Sequence, residues 1–424
     1  MKLKKMTIGF NFSGSNESRH AICGGKLKQN EDSLNSMKRG PTGHFVPIST
    51  VGEVARAFVP APLPPVPPLV LDDSLHEILQ AASLALGRLD GLSDFLPDRQ
   101  VFLYSYVRKE AVLSSQIEGI EPSLSDLLRH ELDAAPGVPM DDVEEVSCYV
   151  AALELGMKRL AEGLPLSLRL IRELHAALHA SGRGSTTQPG EFKRSQNWIG
   201  GTRPGNARFV PAPPELTIEC MGALEKFLHD QPVKTATLIK AALVHVQFET
   251  IHPFLDGNGR LGRLLIALIL SAEGMLRQPL LYLSLYFKEH RSEYYDLLQA
   301  IRTEGDWEAW LTFFLNGVRD TAERAAASAR QLWALFHTDR ARLQAVSDST
   351  VTALRLHEAL QRSPITSASR AAEALDTSIP TATKAIRTLE KLGLLRELTG
   401  GKYGRLYAYD QYLAILNEGT EPLR

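Results

Sequence analysis

Within His252-Pro-Phe-Leu-Asp-Gly-Asn-Gly-Arg-Leu-Gly-Arg263 the residue types and their spacing describe one piece of chemistry. Gly257-Asn258-Gly259 stands directly before an apolar helical run, so its backbone N–H groups can curl into a nest at a helix N-terminus, where free donors and the helix dipole favour phosphate. Arg260 and Arg263 are three apart on the first turn of that helix and share a face, which suits further phosphate oxygens and hence a polyphosphate. Asp256 precedes the nest as a hard oxygen ligand, and Mg²⁺ takes only one or two protein carboxylates. His252, placed in extended backbone by the proline after it, has an ordinary pKa of about 6.5 and suits removal of a proton from an attacking hydroxyl. Singly, a histidine near a helix start is more often a cap or core residue and Gly-Asn-Gly is a common turn. Their conjunction makes a base, a metal ligand, an anion nest and two cation clamps.

The elements that must position these groups are mostly helical. From about Asp73 to His337 apolar residues recur three and four apart, as in the stripe Leu75, Ile78, Leu79, Ala82 and Leu86. A second helix carries Val101, Tyr104, Ser105 and Val112 toward Glu118; further helices are expected around 142–160, 167–180, 215–229, 234–250, 258–273 and 307–337. Asn197 to Val210 interrupts them and reads as two short strands around a Pro204-Gly205 turn. Residues 1 to about 49 lack a sustained period and read as a loose leader, and Phe58 to Leu69 is a proline-rich strap laid along the domain. After about Val346, helices at 354–360, 371–375 and 379–392 precede two strands joined by Gly400-Gly-Lys-Tyr-Gly404, the order of a winged helix-turn-helix.

The stretch from His252 to Arg263 resembles the Fic motif, HxFx(D/E)GNGRxxR, without a mismatch. The resemblance extends to Pro189-Gly-Glu-Phe-Lys-Arg-Ser-Gln-Asn-Trp-Ile-Gly200, to the hairpin after it, and to Tyr294-Tyr295 followed by Gly305-Asp-Trp-Glu-Ala-Trp310. It implies a mainly α fold in four parts: a leader at 1–57, a Fic N-terminal region with an inhibitory helix at 58–140, a Fic catalytic core with a β-hairpin flap at 141–338, and the winged helix at 346–424. It also implies transfer of AMP from ATP to a Ser, Thr or Tyr hydroxyl of a protein. His252 would be the base and Asp256 the Mg²⁺ ligand. Gly257, Asn258, Gly259, Arg260, Leu261, Gly262 and Arg263 would line the ATP site, with Asn258 at the α-phosphate. Tyr295 matches a position that helps to hold the nucleoside; a core tyrosine is the competing reading. Thr202, Arg208, Phe209 and Val210 fall in the flap, against which a target segment could align by strand addition; a merely structural hairpin is the competing reading.

Ser114-Ser-Gln-Ile-Glu-Gly119 is similar to the (S/T)xxxE(G/N) inhibitory motif of that family. The resemblance implies that Glu118, four residues after Ser114 and followed by Gly119, pairs with Arg263 and keeps it from the γ-phosphate. A surface glutamate at a helix end is the plain alternative.

Composition is that of an ordinary globular chain: 424 residues, 44% hydrophobic, 23% charged, formal net charge -2. That excludes collagen-like and wholly disordered chains and argues against a dedicated nucleic-acid protein. Locally, six basic and two acidic residues between Ile379 and Arg405 (Lys384, Arg387, Lys391, Arg396, Lys402, Arg405 against Glu390 and Glu397) permit contacts with DNA phosphates. The second functional class is therefore a DNA-binding regulator whose Fic core senses nucleotide or removes AMP. Cys23, Cys148 and Cys220 are scattered without metal spacing, and the longest apolar run, 264–270, is short of the roughly 20 residues a bilayer needs. The expectation is a cytoplasmic protein acting on a protein target, itself included, without a membrane partner and compatible with a homodimer.

Overall fold

The computed structural model describes residues 39–50, 53–92, 99–120, 123–131, 140–182, 188–346, 351–400 and 404–421. The leader expected at 1–57 lies outside these up to residue 38. Beyond it the expectation of a loose chain is corrected: β1 (Gly43–Thr50) and β2 (Glu53–Pro60) pair antiparallel, with Gly43 opposite Pro60 and Thr50 opposite Glu53. Pro47 interrupts the alternation of β1, which hides the strand in the sequence. β2 buries Ala55, Ala57, Phe58 and Val59. The proline-rich segment after it lies along the body, with the Ala61 carbonyl accepting from Gln247 Nε2 at 2.9 Å.

Among the described residues eleven α-helices follow: α1 (Asp73–Leu92), α2 (Arg99–Ile117), α3 (Leu124–His130), α4 (Met140–Ala161), α5 (Leu168–Leu178), α6 (Pro214–Leu228), α7 (Thr237–Ile251), α8 (Asn258–Ala272), α9 (Ser284–Glu289), α10 (Arg291–Glu304) and α11 (Trp307–Gln344). Local chemistry starts several of them. Ser123 and Asp126 form a capping box at α3, Ser167 accepts the Leu170 N–H at α5, and Asp306 accepts the Ala309 N–H at α11. α7 is buried on every side from Leu238 to Ile251, as a helix without a polar face must be. α8 packs against it as the second central rod, and α4, α5, α6 and α11 pack on the pair. Trp310 is fully buried there and donates Nε1–H to the Ala242 carbonyl of α7 at 3.0 Å.

The strands expected on either side of Pro204 are corrected to one bridge, Ile199 opposite Phe209, closed by a 3-10 turn over Pro204–Asn206. The Phe58 N–H of β2 donates to the Val210 carbonyl at 2.9 Å, so this flap leans on β2.

The C-terminal part contains α12 (Val351–Arg362), β3 (Ile365–Ser367), α13 (Ala368–Leu375), α14 (Ile379–Lys391), β4 (Leu395–Glu397), β5 (Leu406–Tyr409) and α15 (Asp410–Asn417). The sheet runs β3-β5-β4, both pairings antiparallel; β3 and α15 are additions to the expected pattern. α11 continues past the expected end near residue 337 and enters this part: Phe336 packs on Tyr412, and Asp339 accepts the Tyr409 hydroxyl at 2.6 Å. Among the described residues no helix is long and apolar enough to cross a membrane.

Because Trp310 joins α11 to α7 through both volume and a hydrogen bond, Trp310→Ala is expected to lower the unfolding free energy by about 3–5 kcal/mol, read from urea denaturation.

Candidate active site

The His252 loop is fixed by residues distant in sequence. His252 is the C-cap of α7 in the left-handed region (φ 49°, ψ 62°), its N–H bonded to the Phe248 carbonyl at 2.9 Å. The extended backbone expected before Pro253 does not form, because the chain reverses at the helix end. A left-handed non-glycine residue costs about 1–3 kcal/mol and persists only where its surroundings hold it. Here Asn197 Nδ2 donates to the carbonyls of His252 (3.2 Å) and Phe254 (2.7 Å). Lys193 donates its backbone N–H to Pro253 O at 2.8 Å and its ammonium to Asn197 Oδ1 (2.8 Å) and Ile251 O (3.3 Å). Phe254 stacks flat on His175, with centroids 3.8 Å apart. His175 Nδ1 accepts the Gly190 N–H at 2.9 Å, which leaves the ring proton on Nε2 to donate to the Asp256 carbonyl at 3.1 Å.

Burial, with Lys193 and Arg302 adding like charge, pushes the His252 imidazole down to about 3 and keeps it neutral, the form that can accept a proton. Its Nδ1 lies 3.9 Å from the Glu249 carboxylate and makes no well-formed hydrogen bond. Glu249 is itself buried, which raises its carboxyl to about 7. A Cβ on Gly262 would stand 2.5 Å from Glu249 Oε1, so glycine makes room for this carboxylate.

The nest opens α8. Gly257 is its N-cap at φ 71°, and a Cβ there would come within 2.2 Å of His179 Nε2. The first N–H groups of α8 have no partner within the helix, an arrangement that can receive an anion. The Asn258 side chain is buried, Oδ1 accepting the Phe254 N–H and Nδ2 donating to the Phe254 carbonyl, both at 2.9 Å. Its backbone N–H is what it offers the nest. Asp256 is exposed and one of its oxygens accepts the Gly257 N–H at 2.7 Å. A single exposed carboxylate fits a Mg²⁺ that draws its other ligands from phosphate and water. Among the described residues no group of three or more His, Cys, Asp or Glu assembles a metal cage.

Across this helix start lies Glu118. α2 ends in a Schellman turn, with Ile120 N–H to Ser115 O (3.2 Å) and Gly119 N–H to Gln116 O (3.1 Å). Gly119 takes the left-handed C′ position at φ 85°, which leaves Glu118 as the C-cap projecting over α8. Glu118 Oε1 meets Arg263 Nη2 at 2.7 Å and Oε2 meets Arg260 Nε at 3.1 Å. Arg263 also donates to the Ser114 hydroxyl (2.8 Å) and carbonyl (2.9 Å). Burial works against the charge on Arg263, but Glu118 and the neighbouring Tyr294 and Glu249 more than offset it and hold its proton above the ordinary range. A Cβ on Gly259 would fall 2.3 Å from Glu118 Oε1, so the glutamate occupies the mouth of the nest. Arg260 carries a second carboxylate partner, Glu145 at 3.1 Å, which sequence spacing does not reveal because it is 115 residues away.

Two residues expected to line the ATP site face elsewhere. Leu261 is fully buried on the core side of α8, and Gly262 faces Glu249; Arg260 and Arg263 take the site face because they are three apart. Tyr295 lies beside the site, partly exposed, with Arg291 over its ring at 5.4 Å. In the flap, Thr202 accepts from Asn206 Nδ2 at 3.1 Å and the exposed Arg208 pairs with Asp296 at 2.9 Å. Phe209 and Val210, expected to face a target, are buried: Arg302 covers the Phe209 ring at 3.8 Å and Val210 is bonded to β2. The exposed aromatic of this region is Trp198.

Besides His252, burial lowers His175 to about 4 and His245 to about 3. Unfolded histidines titrate near 6.5, so as pH falls from about 6.5 toward 4 the unfolded state gains protons that the fold refuses, and stability drops. Glu110 and Glu249, raised to about 7, act in the opposite sense, their contribution being complete below about 4.5 and lost as pH rises through 7. The melting temperature should therefore fall between pH 6.5 and 4, with a shallower slope in His245→Asn.

Comparison with known proteins agrees with this geometry. Residues 76–158 match the Fic/DOC family N-terminal region and residues 165–270 the Fic/DOC family domain. The chain is 29% identical over 191 residues to the protein adenylyltransferase Fic of Drosophila erecta, covering 45% of this chain and 35% of that protein. It is 30% identical over 191 residues to that of Drosophila grimshawi, covering 45% and 36%. It thus spans about a third of the length of these curated relatives. The crystal structure of a Fic family protein from Desulfovibrio desulfuricans G20 shares the fold, at 18% identity and a TM-score of 0.53 over 81% of this chain and 97% of that one. Motif, helical core and both matched regions agree: residues 76–158 and 165–270 carry the Fic/DOC family N-terminal region and the Fic/DOC family domain.

Proposed function

We propose that this chain is a protein adenylyltransferase, moving AMP from ATP to a hydroxyl of a protein and held at low activity by Glu118. The observation that carries the reading is the single carboxylate shared by Arg260 and Arg263 at the N-terminus of α8. Two buried cations beside a helix start need an anion, and a polyphosphate is the ligand of the right charge and length. The adenylyltransferase names of the relatives supply the reaction.

In this reading the target hydroxyl oxygen attacks the α-phosphorus in line, its proton passes to the neutral His252 imidazole, and the bond to the β-phosphate breaks to release pyrophosphate. Backbone N–H groups of Gly257, Asn258 and Gly259 hold phosphate oxygens, and Arg260 and Arg263 take the β- and γ-phosphates once Glu118 has left them. Asp256 is placed to hold Mg²⁺, which when bound neutralises phosphate charge. Lys193 and Asn197 keep His252 in its left-handed position, and Tyr295 borders the nucleoside. A target segment aligns on the Trp198 side of the flap, since β2 already covers Val210.

The C-terminal part fits a winged helix-turn-helix with α14 as recognition helix, beginning near residue 346. Lys384, Arg387 and Lys391 lie exposed along α14 and suit DNA phosphates, the observation favouring a second, regulatory role. Arg396 and Arg405 instead pair with Asp410 (2.6 Å) and Glu397 (3.3 Å), and Lys402 lies outside the described residues.

With α-phosphate-labelled ATP, Glu118→Gly is expected to raise AMP incorporation severalfold over wild type, and adding His252→Ala to lower it by about 10²–10⁴-fold. Equal labelling in all three proteins contradicts the reading. For the second role, changing Lys384, Arg387 and Lys391 together to Ala in the full chain should weaken duplex binding alike across sequences and flatten its salt dependence.

A further inference from the structure

The helix that ends in Glu118 is held from behind. Ser105 Oγ of α2 and Tyr412 OH of α15 are hydrogen-bonded at 2.7 Å in a buried contact, and Tyr412 OH donates to the Gln361 carbonyl of α12 at 3.1 Å. At the other end of α2, Gln116 Nε2 donates to the Thr420 carbonyl at 2.9 Å, also buried. Gln116 is two residues before Glu118, and its own carbonyl accepts the Gly119 N–H that closes the Schellman turn. The same short segment is pinned on two more sides: Lys288 Nζ of α9 donates to the carbonyls of Gly419 (3.1 Å) and Glu421, and Asn417 Nδ2 donates to Ser125 Oγ of α3 at 3.4 Å. A Cβ on Gly419 would fall 2.7 Å from Leu285, so the segment passes close over α9. α9 is in turn tied to α2, the Ser284 hydroxyl donating to Glu110 at 2.5 Å.

The contact between α2 and the C-terminal part is not sealed along its length. A cavity of about 690 Å³ opens between them, bordered by Tyr104, Arg108 and Glu131 on one side and Leu356, Ser363 and Arg370 on the other. The buried polar contacts are therefore concentrated at Tyr412 and at 417–421. α15 begins directly where β5 ends, at Tyr409-Asp410, so the sheet, α15 and the segment up to Thr420 are continuous chain.

We infer that residues Asn417–Glu421 are a latch on the inhibitory helix: docked, they hold the last turn of α2 and keep Glu118 on Arg260 and Arg263, and their release loosens that turn and frees the phosphate site. The inference rests on the adenylyltransferase reading and names the control of the same site. The geometric reason is leverage. Gln116 belongs to the turn that aims Glu118, so a carbonyl in the C-terminal segment, more than 300 residues away in sequence, bears on the carboxylate that covers the nest.

The test uses the full chain, a variant lacking 417–424, Gln116→Leu, and each of these combined with Glu118→Gly, all assayed for AMP incorporation from labelled ATP. Expected are a severalfold rise on deletion, a smaller rise for Gln116→Leu, and no further rise from either in the Glu118→Gly background. The latch is overturned if deletion leaves labelling unchanged while Glu118→Gly raises it, or if deletion changes labelling by the same factor with and without Glu118. If Glu118→Gly itself incorporates no label, the adenylyltransferase reading fails and amide hydrogen exchange decides the latch. Faster exchange at residues 114–120 in the deleted chain and in Gln116→Leu supports it, and unchanged exchange in both overturns it.

Discussion

Two guanidinium groups, Arg260 and Arg263, are almost completely removed from water at the start of α8, where the helix dipole adds further positive potential. Such a pair is tolerable only with an anion beside it, because a buried unpaired charge costs several kcal/mol. Glu118 is that anion in this conformation, with Glu145 contributing on Arg260. On the proposed function, the constraint makes inhibition and substrate binding competing solutions to one electrostatic problem. Whatever draws the carboxylate away must leave an equal or greater negative charge in its place, which a nucleoside polyphosphate does.

The rest of the architecture serves this exchange. α7 and α8 form a rigid pair whose joining loop places His252, the nest and the arginines within one short path of chain. The loop is held by long-range contacts: Lys193 and Asn197 grip its carbonyls, and His175 stacks on Phe254 while donating to the Asp256 carbonyl. Opposite it, α2 terminates where Gly119 allows a left-handed residue, so the side chain at the cap hangs over α8. One helix end presents the nest and both arginines, and another helix end carries the carboxylate that covers them. The buried polar contacts behind α2 then make the position of that second helix end depend on the C-terminal part.

Much of this could be read in the residues. The glycines of the nest, the three-residue spacing of the arginines and Asp256 before them follow from local geometry, while Glu118 four residues after Ser114 is legible only through its resemblance to the inhibitory motif. So do most helix positions, since amphipathic periods of 3.6 are preserved wherever one face meets solvent. Misreadings arose where the deciding contact was not local. Pro47 masked β1, whose strand character comes from pairing with β2. Pro253 pointed to extended backbone at His252, and α7 with Asn197 imposed the left-handed one. Phe209 and Val210 read as a docking face because nothing in their neighbourhood indicates that β2 covers them.

The sequence by itself determined the chemistry available, because nests, clamps and caps are made by residues within a helical turn of one another. Only the tertiary structure decided how those groups are occupied. Glu118 reaches both arginines rather than Arg263 alone. Glu145 joins the site from α4, and the segment after α15 closes on Gln116. Each of these depends on helices packed from separate parts of the chain. Local period and spacing carry no information about which faces will meet.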